Sequence, residues 1–88
     1  STPSTHSVKV SVIAVDKTGV LAHVSTAISE CQANISRAEI TTREDRKAML
    51  DFIIEVQDTA HLARVLKAIE KVDGIITVRR VRSWRERS

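Results

Sequence analysis

From Ser7 to Ala14 the chain alternates, with Val8, Val10, Val12 and Ala14 on one side and Ser7, Lys9, Ser11 and Ile13 on the other. That is the period of a half-buried strand. After Gly19 the period lengthens: Leu21, Val24, Ile28 and Cys31 fall on one helical face, flanked by Val20 and Ala27. Ala33-Asn34 ends this helix without a glycine, and Asn34 is the residue expected to take the left-handed stop. A second strand is read from Ile35 to Arg43, with Ala38, Ile40 and Thr42 on one side. The polar run Glu44-Asp45-Arg46-Lys47 suits a hairpin tip. In a third strand Leu50, Phe52, Ile54 and Val56 alternate with Met49, Asp51, Ile53 and Glu55. Asp58 or Thr59 can cap a second helix, whose apolar stripe is Leu62, Val65, Leu66, Ile69 and Val72. Asp73-Gly74 is read as its close, and Ile75 to Val81 as a fourth strand.

The order is βαββαβ, the ferredoxin-like α+β arrangement: a four-stranded antiparallel sheet with two helices on one face. The first and third strands are expected in the middle, the second and fourth at the edges. The chain also repeats itself, VDKTGVLAHV from Val15 being echoed by VQDTAHLARV from Val56. A shift of 41 superposes the helices, Leu21 on Leu62 and Ile28 on Ile69, whereas the strand faces need 42, Val10 matching Phe52 and Ala14 matching Val56. One extra residue therefore lies within Asp16 to Gly19. Glycine makes such an excursion easy, because it lacks the Cβ that penalises positive φ.

Eighty-eight residues make one small domain, read here as a tail over 1–7, the folded unit over 8–82 and a basic tail over 83–88. The single cysteine, Cys31, leaves no disulfide framework and fits a reducing compartment. No apolar run approaches a membrane span and nothing at the start reads as a signal peptide, so a cytoplasmic origin without membrane contact is expected. The opening STPSTHS, without methionine, reads as a fragment of a longer protein. Of the formal charge of +3, much sits near the end, where Arg79, Arg80, Arg82, Arg85 and Arg87 surround Trp84. Such a tail can follow RNA phosphates, or simply solvate a terminus.

Catalytic chemistry is hard to assemble. His6, His23 and His61 have no metal-ligand spacing with Cys31, Ser25, Thr26 and Ser29 have no adjacent base, and no GxxxxGK loop occurs. No catalytic residue, metal or cofactor is assigned. Base stacking on an open sheet, as in RNA-recognition modules of the same order, needs aromatics on the central strands, and the only candidate, Phe52, belongs to the core side.

Asp16-x-x-Gly19-x-Leu21 at the first strand–helix turn, followed by Ala33-Asn34-Ile35, resembles the ACT domain, a small-molecule regulatory module. The stretch HLARVLKAIEKVDGIITVRRV, His61 to Val81, is similar to the C-terminal end of the Rel/Spo family of GTP pyrophosphokinases, which make and hydrolyse guanosine tetra- and pentaphosphate. The resemblance implies a non-catalytic regulatory domain that serves the parent's catalytic domains in the stringent response. It implies an effector, commonly an amino acid, between the first turn of one copy and the helix–strand step of a neighbour. Asp16, Lys17, Thr18, Gly19, Val20 and Leu21 would form one wall, Asn34 and Ile35 the other. Free N–H groups at a helix start suit a carboxylate, Asp16 an ammonium group, and the apolar neighbours a branched-chain side chain. The same residue types also serve as plain helix caps. A homodimer is expected through the second strand, with Ile35, Arg37, Glu39 and Thr41 at the edge and Ser36 outward. Two alternatives stay open: an interaction module for ribosomal RNA or the parent's catalytic half, and an ACT domain from an amino-acid biosynthetic enzyme.

Overall fold

A computed structural model describes residues 5–15 and 18–82. Its elements are β1 (His6–Val15), α1 (Val20–Glu30), β2 (Asn34–Thr42), β3 (Lys47–Val56), α2 (Thr59–Glu70) and β4 (Ile75–Val81). The sheet order is β2-β3-β1-β4 with every neighbouring pair antiparallel, so the central and edge strands fall as the βαββαβ order predicted. β1 reaches back to His6, into the stretch read as a tail, because His6 and Ser7 pair with Val56 and Glu55.

The two central strands form the floor of the core. Val8, Val10, Val12 and Ala14 of β1 and Ala48, Leu50, Phe52, Ile54 and Val56 of β3 are buried, Phe52 completely. Burying each large apolar side chain contributes about 1.5–3 kcal/mol, so this face is the main source of stability. Val10 lies directly opposite Phe52. These are also the residues the 42-residue shift equates, which places the pseudo-twofold of the repeat between them.

The helices cover this face with Val20, Val24 and Ile28 from α1 and His61, Leu62, Val65 and Ile69 from α2. The stripe on α1 is turned slightly from the sequence reading: Val20 is buried, while Leu21, Ala27 and Cys31 are half-buried. α2 ends at Glu70 with Lys71 as its cap, ahead of Asp73-Gly74. Gly74, with φ of 96°, instead turns the chain into β4, and its carbonyl accepts from the Val15 N–H at 2.8 Å. Both edge strands are bulged near their starts. Ser36 is skipped between Ile35 and Arg37 in the pairing with β3, and Ile76 between Ile75 and Thr77 in the pairing with β1.

Candidate functional site

The two β-to-α turns of the repeat start their helices by different means. Between β3 and α2 only residues 57 and 58 intervene. Asp58 is extended, and its Oδ1 accepts the His61 N–H at 2.8 Å, the usual side-chain cap of a first turn. Between β1 and α1 the connection runs over residues 16–19. Its N-cap is Gly19, in the left-handed conformation with φ of 84°, and no side-chain cap bond is made among the described residues. Of the two residues whose type suits a cap here, Thr18 is not at the N-cap position, and Asp16 lies outside the described residues. The first bond within α1 runs from the His23 N–H to the Gly19 carbonyl at 2.9 Å, leaving the N–H groups of Val20, Leu21 and Ala22 at the mouth of the turn.

Of the wall expected around this turn, Asp16 and Lys17 lie outside the described residues. Thr18 and Gly19 are exposed and Leu21 is half-buried. Val20 is only 3% exposed, so it can offer a ligand its backbone N–H but not its side chain. At the far end of α1 the left-handed stop is Gln32, with φ of 63°, and not Asn34. The helix closes through N–H groups of Cys31, Gln32 and Ala33 on the carbonyls of Ile28 and Ser29, so the reversal is complete two residues before the asparagine. Asn34 is already the exposed first residue of β2, and Ile35 is half-buried against the core. Eleven helical residues separate the two walls, about 16 Å at 1.5 Å per residue. A single copy therefore does not bring Gly19 and Asn34 together.

β2 is exposed along nearly its whole length. Ala38, Ile40 and Thr42 do share the core face, opposite Phe52, Leu50 and Ala48, but the helices do not reach over them and Ile40 stays 47% exposed. Arg37, Glu39 and Thr41 occupy the opposite face. Arg37 and Glu39 pair with each other within the strand at 3.1 Å, and Ser36 donates to the Glu55 carboxylate at 3.0 Å. At β4, Arg79 lies opposite Ser11 on the open face and Arg80 opposite Val10 on the helix face. Arg79 and Arg80 thus diverge; Arg82 is exposed just after β4, and Arg85 and Arg87 lie outside the described residues.

His61 is the residue the sequence reading passed over. It is 3% exposed, its Nδ1 accepts the Gln57 N–H at 3.0 Å, and its Nε2 lies 2.7 Å from the Cys31 carbonyl. Both bonds are satisfied together when the ring proton sits on Nε2. The side chain thereby ties the end of α1 to the start of α2. The repeat held the signal, because the 41-residue shift places His61 on the core residue Val20. Among the described residues no group of three His, Cys, Asp or Glu could hold a metal ion, and no helix is long and apolar enough to cross a membrane.

Comparison with known proteins agrees with this architecture. The family model of the ACT domain matches residues 2–80. The chain is 37% identical over 70 residues to the guanosine-3′,5′-bis(diphosphate) 3′-pyrophosphohydrolase of Aquifex aeolicus, covering 80% of this chain and 10% of that protein. It is 38% identical over 81 residues to the GTP pyrophosphokinase of Streptomyces coelicolor, covering 92% of this chain and 10% of that protein. The chain thus spans about a tenth of the length of these curated relatives. The crystal structure of the ACT domain from the GTP pyrophosphokinase of Chlorobium tepidum superposes with a TM-score of 0.77 at 23% identity, covering 89% of this chain and all of that one. With the fold, the repeat and the glycine-capped first turn in place, the chain belongs to the ACT domain family.

Proposed function

We propose that this chain is the regulatory ACT domain of a cytoplasmic (p)ppGpp synthetase/hydrolase of the GTP pyrophosphokinase type, and that two copies pair through β2 to hold a branched-chain amino acid. The likeness to a pyrophosphokinase and a pyrophosphohydrolase over most of the chain supports this parent over an amino-acid biosynthetic enzyme. One observation carries the site: the Gly19 turn and the Asn34 step lie at opposite ends of α1, beside an exposed edge strand. Antiparallel pairing of β2 with β2 of a second copy sets the Asn34 end of one strand against the Thr42 end of the other, which lies at the same end of the sheet as the first turn. Two equivalent sites result. In each, the N–H groups at the start of α1 take the carboxylate, Asn34 of the neighbour takes the ammonium group, and Leu21 and Ile35 contact the aliphatic chain.

Titration calorimetry with the protein amino acids, each near ~1 mM, tests the reading. Heat is expected from valine, isoleucine or leucine and is lost in Asn34→Ala. Silence across the whole panel sinks the effector part of the proposal. Arg79 and Arg80 lie on opposite faces of β4, so the two together offer the RNA-docking alternative no shared basic face.

A further inference from the structure

We propose that the groove between α1 and α2, on the outer side of the helical layer, is a docking site for an acidic amphipathic helix of a partner polypeptide. The groove encloses about 570 Å³ and is lined by His23, Thr26, Ala27 and Glu30 of α1, Arg64, Lys67 and Ala68 of α2, and the adjoining Cys31, Lys71 and Val72. Positions 23, 26, 27 and 30 follow the i, i+3, i+4, i+7 spacing of one helical face, and so do 64, 67, 68 and 71. The two sets are related by the 41-residue shift of the repeat. The groove is therefore symmetric in shape, with Ala27 facing Ala68 near its centre, and asymmetric in charge.

The asymmetry identifies the occupant. Where α1 presents His23, Thr26 and Glu30, α2 presents Arg64, Lys67 and Lys71. Elsewhere Arg37 pairs with Glu39, and Asp45 takes both Arg43 and Lys47, whereas other exposed cations such as Arg46 and Arg79 stand singly among the described residues and do not line this groove. Arg64, Lys67 and Lys71 make no ion pair among the described residues. Their row from 64 to 71 runs about 10 Å along α2, the length of two helical turns. Ala27, Ala68 and the half-buried Cys31 and Val72 make a low apolar floor that lets another helix approach closely. A helix with an apolar stripe on that floor and Glu or Asp at i, i+4 and i+7 on one flank satisfies all three cations. Its other flank meets Thr26 and Glu30. Free polyphosphate fits less well, since Glu30 stands on the facing wall and nothing polar closes the floor.

The 88-residue chain, whose described residues hold a complete core, can be titrated directly. The probe is a synthetic peptide of about 18 residues with a Leu/Ala stripe and a Glu flank, helical in modest co-solvent. Its controls are the same peptide with Lys in place of Glu, and sodium tripolyphosphate. Amide NMR signals of Ala27, Cys31, Arg64 and Ala68 are expected to move with the acidic peptide alone. Affinity should fall about tenfold or more in Lys67→Glu/Lys71→Glu. Ala68→Trp, which fills the floor, should also abolish binding; either variant is read only if its remaining spectrum matches the wild type. Equal response to both peptides, no response, or shifts mapping elsewhere overturns the proposal. So does tripolyphosphate that reproduces the same shifts and survives Ala68→Trp, which would make the groove an anion site.

Discussion

Gly19 illustrates how one backbone angle decides a turn. Among the described residues a Cβ built there would meet nothing nearer than the His23 ring at 3.7 Å, ordinary van der Waals contact. Substitution is therefore costly for the φ of 84° and not for space. Gly19→Ala should lower unfolding free energy by about 1–2 kcal/mol in urea titration, and Gly19→Asn by less, because Asn tolerates the left-handed region. Equal stability of Gly19→Ala and wild type would mean that the turn relaxes to an ordinary conformation. The need for glycine was legible in the sequence, since the registers of the first strand and first helix disagree by one residue with those of their repeat across this turn. Gln32 was not legible: asparagine is the commoner left-handed residue, and which residue takes that conformation depends on where the last helical bonds close.

At the scale of elements, the βαββαβ order placed the two central strands correctly, and alternation told which β2 residues share a side but not how far they are buried. Period 2 tells which residues share a face, whereas burial at an edge depends on how far a helix reaches across the sheet. Ala38, Ile40 and Thr42 occupy the expected side and remain exposed because α1 stops short of them. An edge with an exposed isoleucine favours pairing, while its bulge at Ser36 and its Arg37–Glu39 pair limit it, so the free stretch runs from residue 37 to residue 42. Ile40→Lys places a charge on that stretch without opening the core. Sedimentation equilibrium should then give the monomer mass where the unaltered chain gives the dimer, with unfolding changed by under about 1 kcal/mol. A monomer in both cases removes β2 pairing, and with it the two-copy effector site, while leaving the fold untouched.

For the whole molecule, the question is what joins the two halves of the repeat. Central strand pairing does so beneath the helices; above it, His61 is a buried hydrogen-bonding link, with one nitrogen on Gln57 and the other on Cys31, beside a longer contact of the Cys31 thiol with the Arg64 carbonyl at 3.8 Å. A domain this small is stabilised by about 5–10 kcal/mol in all, so one buried polar link is a large fraction. His61→Phe keeps an aromatic ring of similar size but removes both nitrogens, stranding the Gln57 N–H and the Cys31 carbonyl in a part-buried place. Each orphaned group costs about 1–3 kcal/mol, against a small gain from the more apolar ring, so a net loss of about 2–4 kcal/mol is expected. Denaturant unfolding followed by circular dichroism should give that loss with an unchanged denaturant slope, since the same surface is exposed on unfolding. Native-state hydrogen exchange should show the Gln57 amide opening faster than its neighbours in α2. Unchanged stability with a protected Gln57 amide would mean that water or a neighbouring carbonyl replaces the ring, and that the halves are held by the sheet and the apolar layer alone.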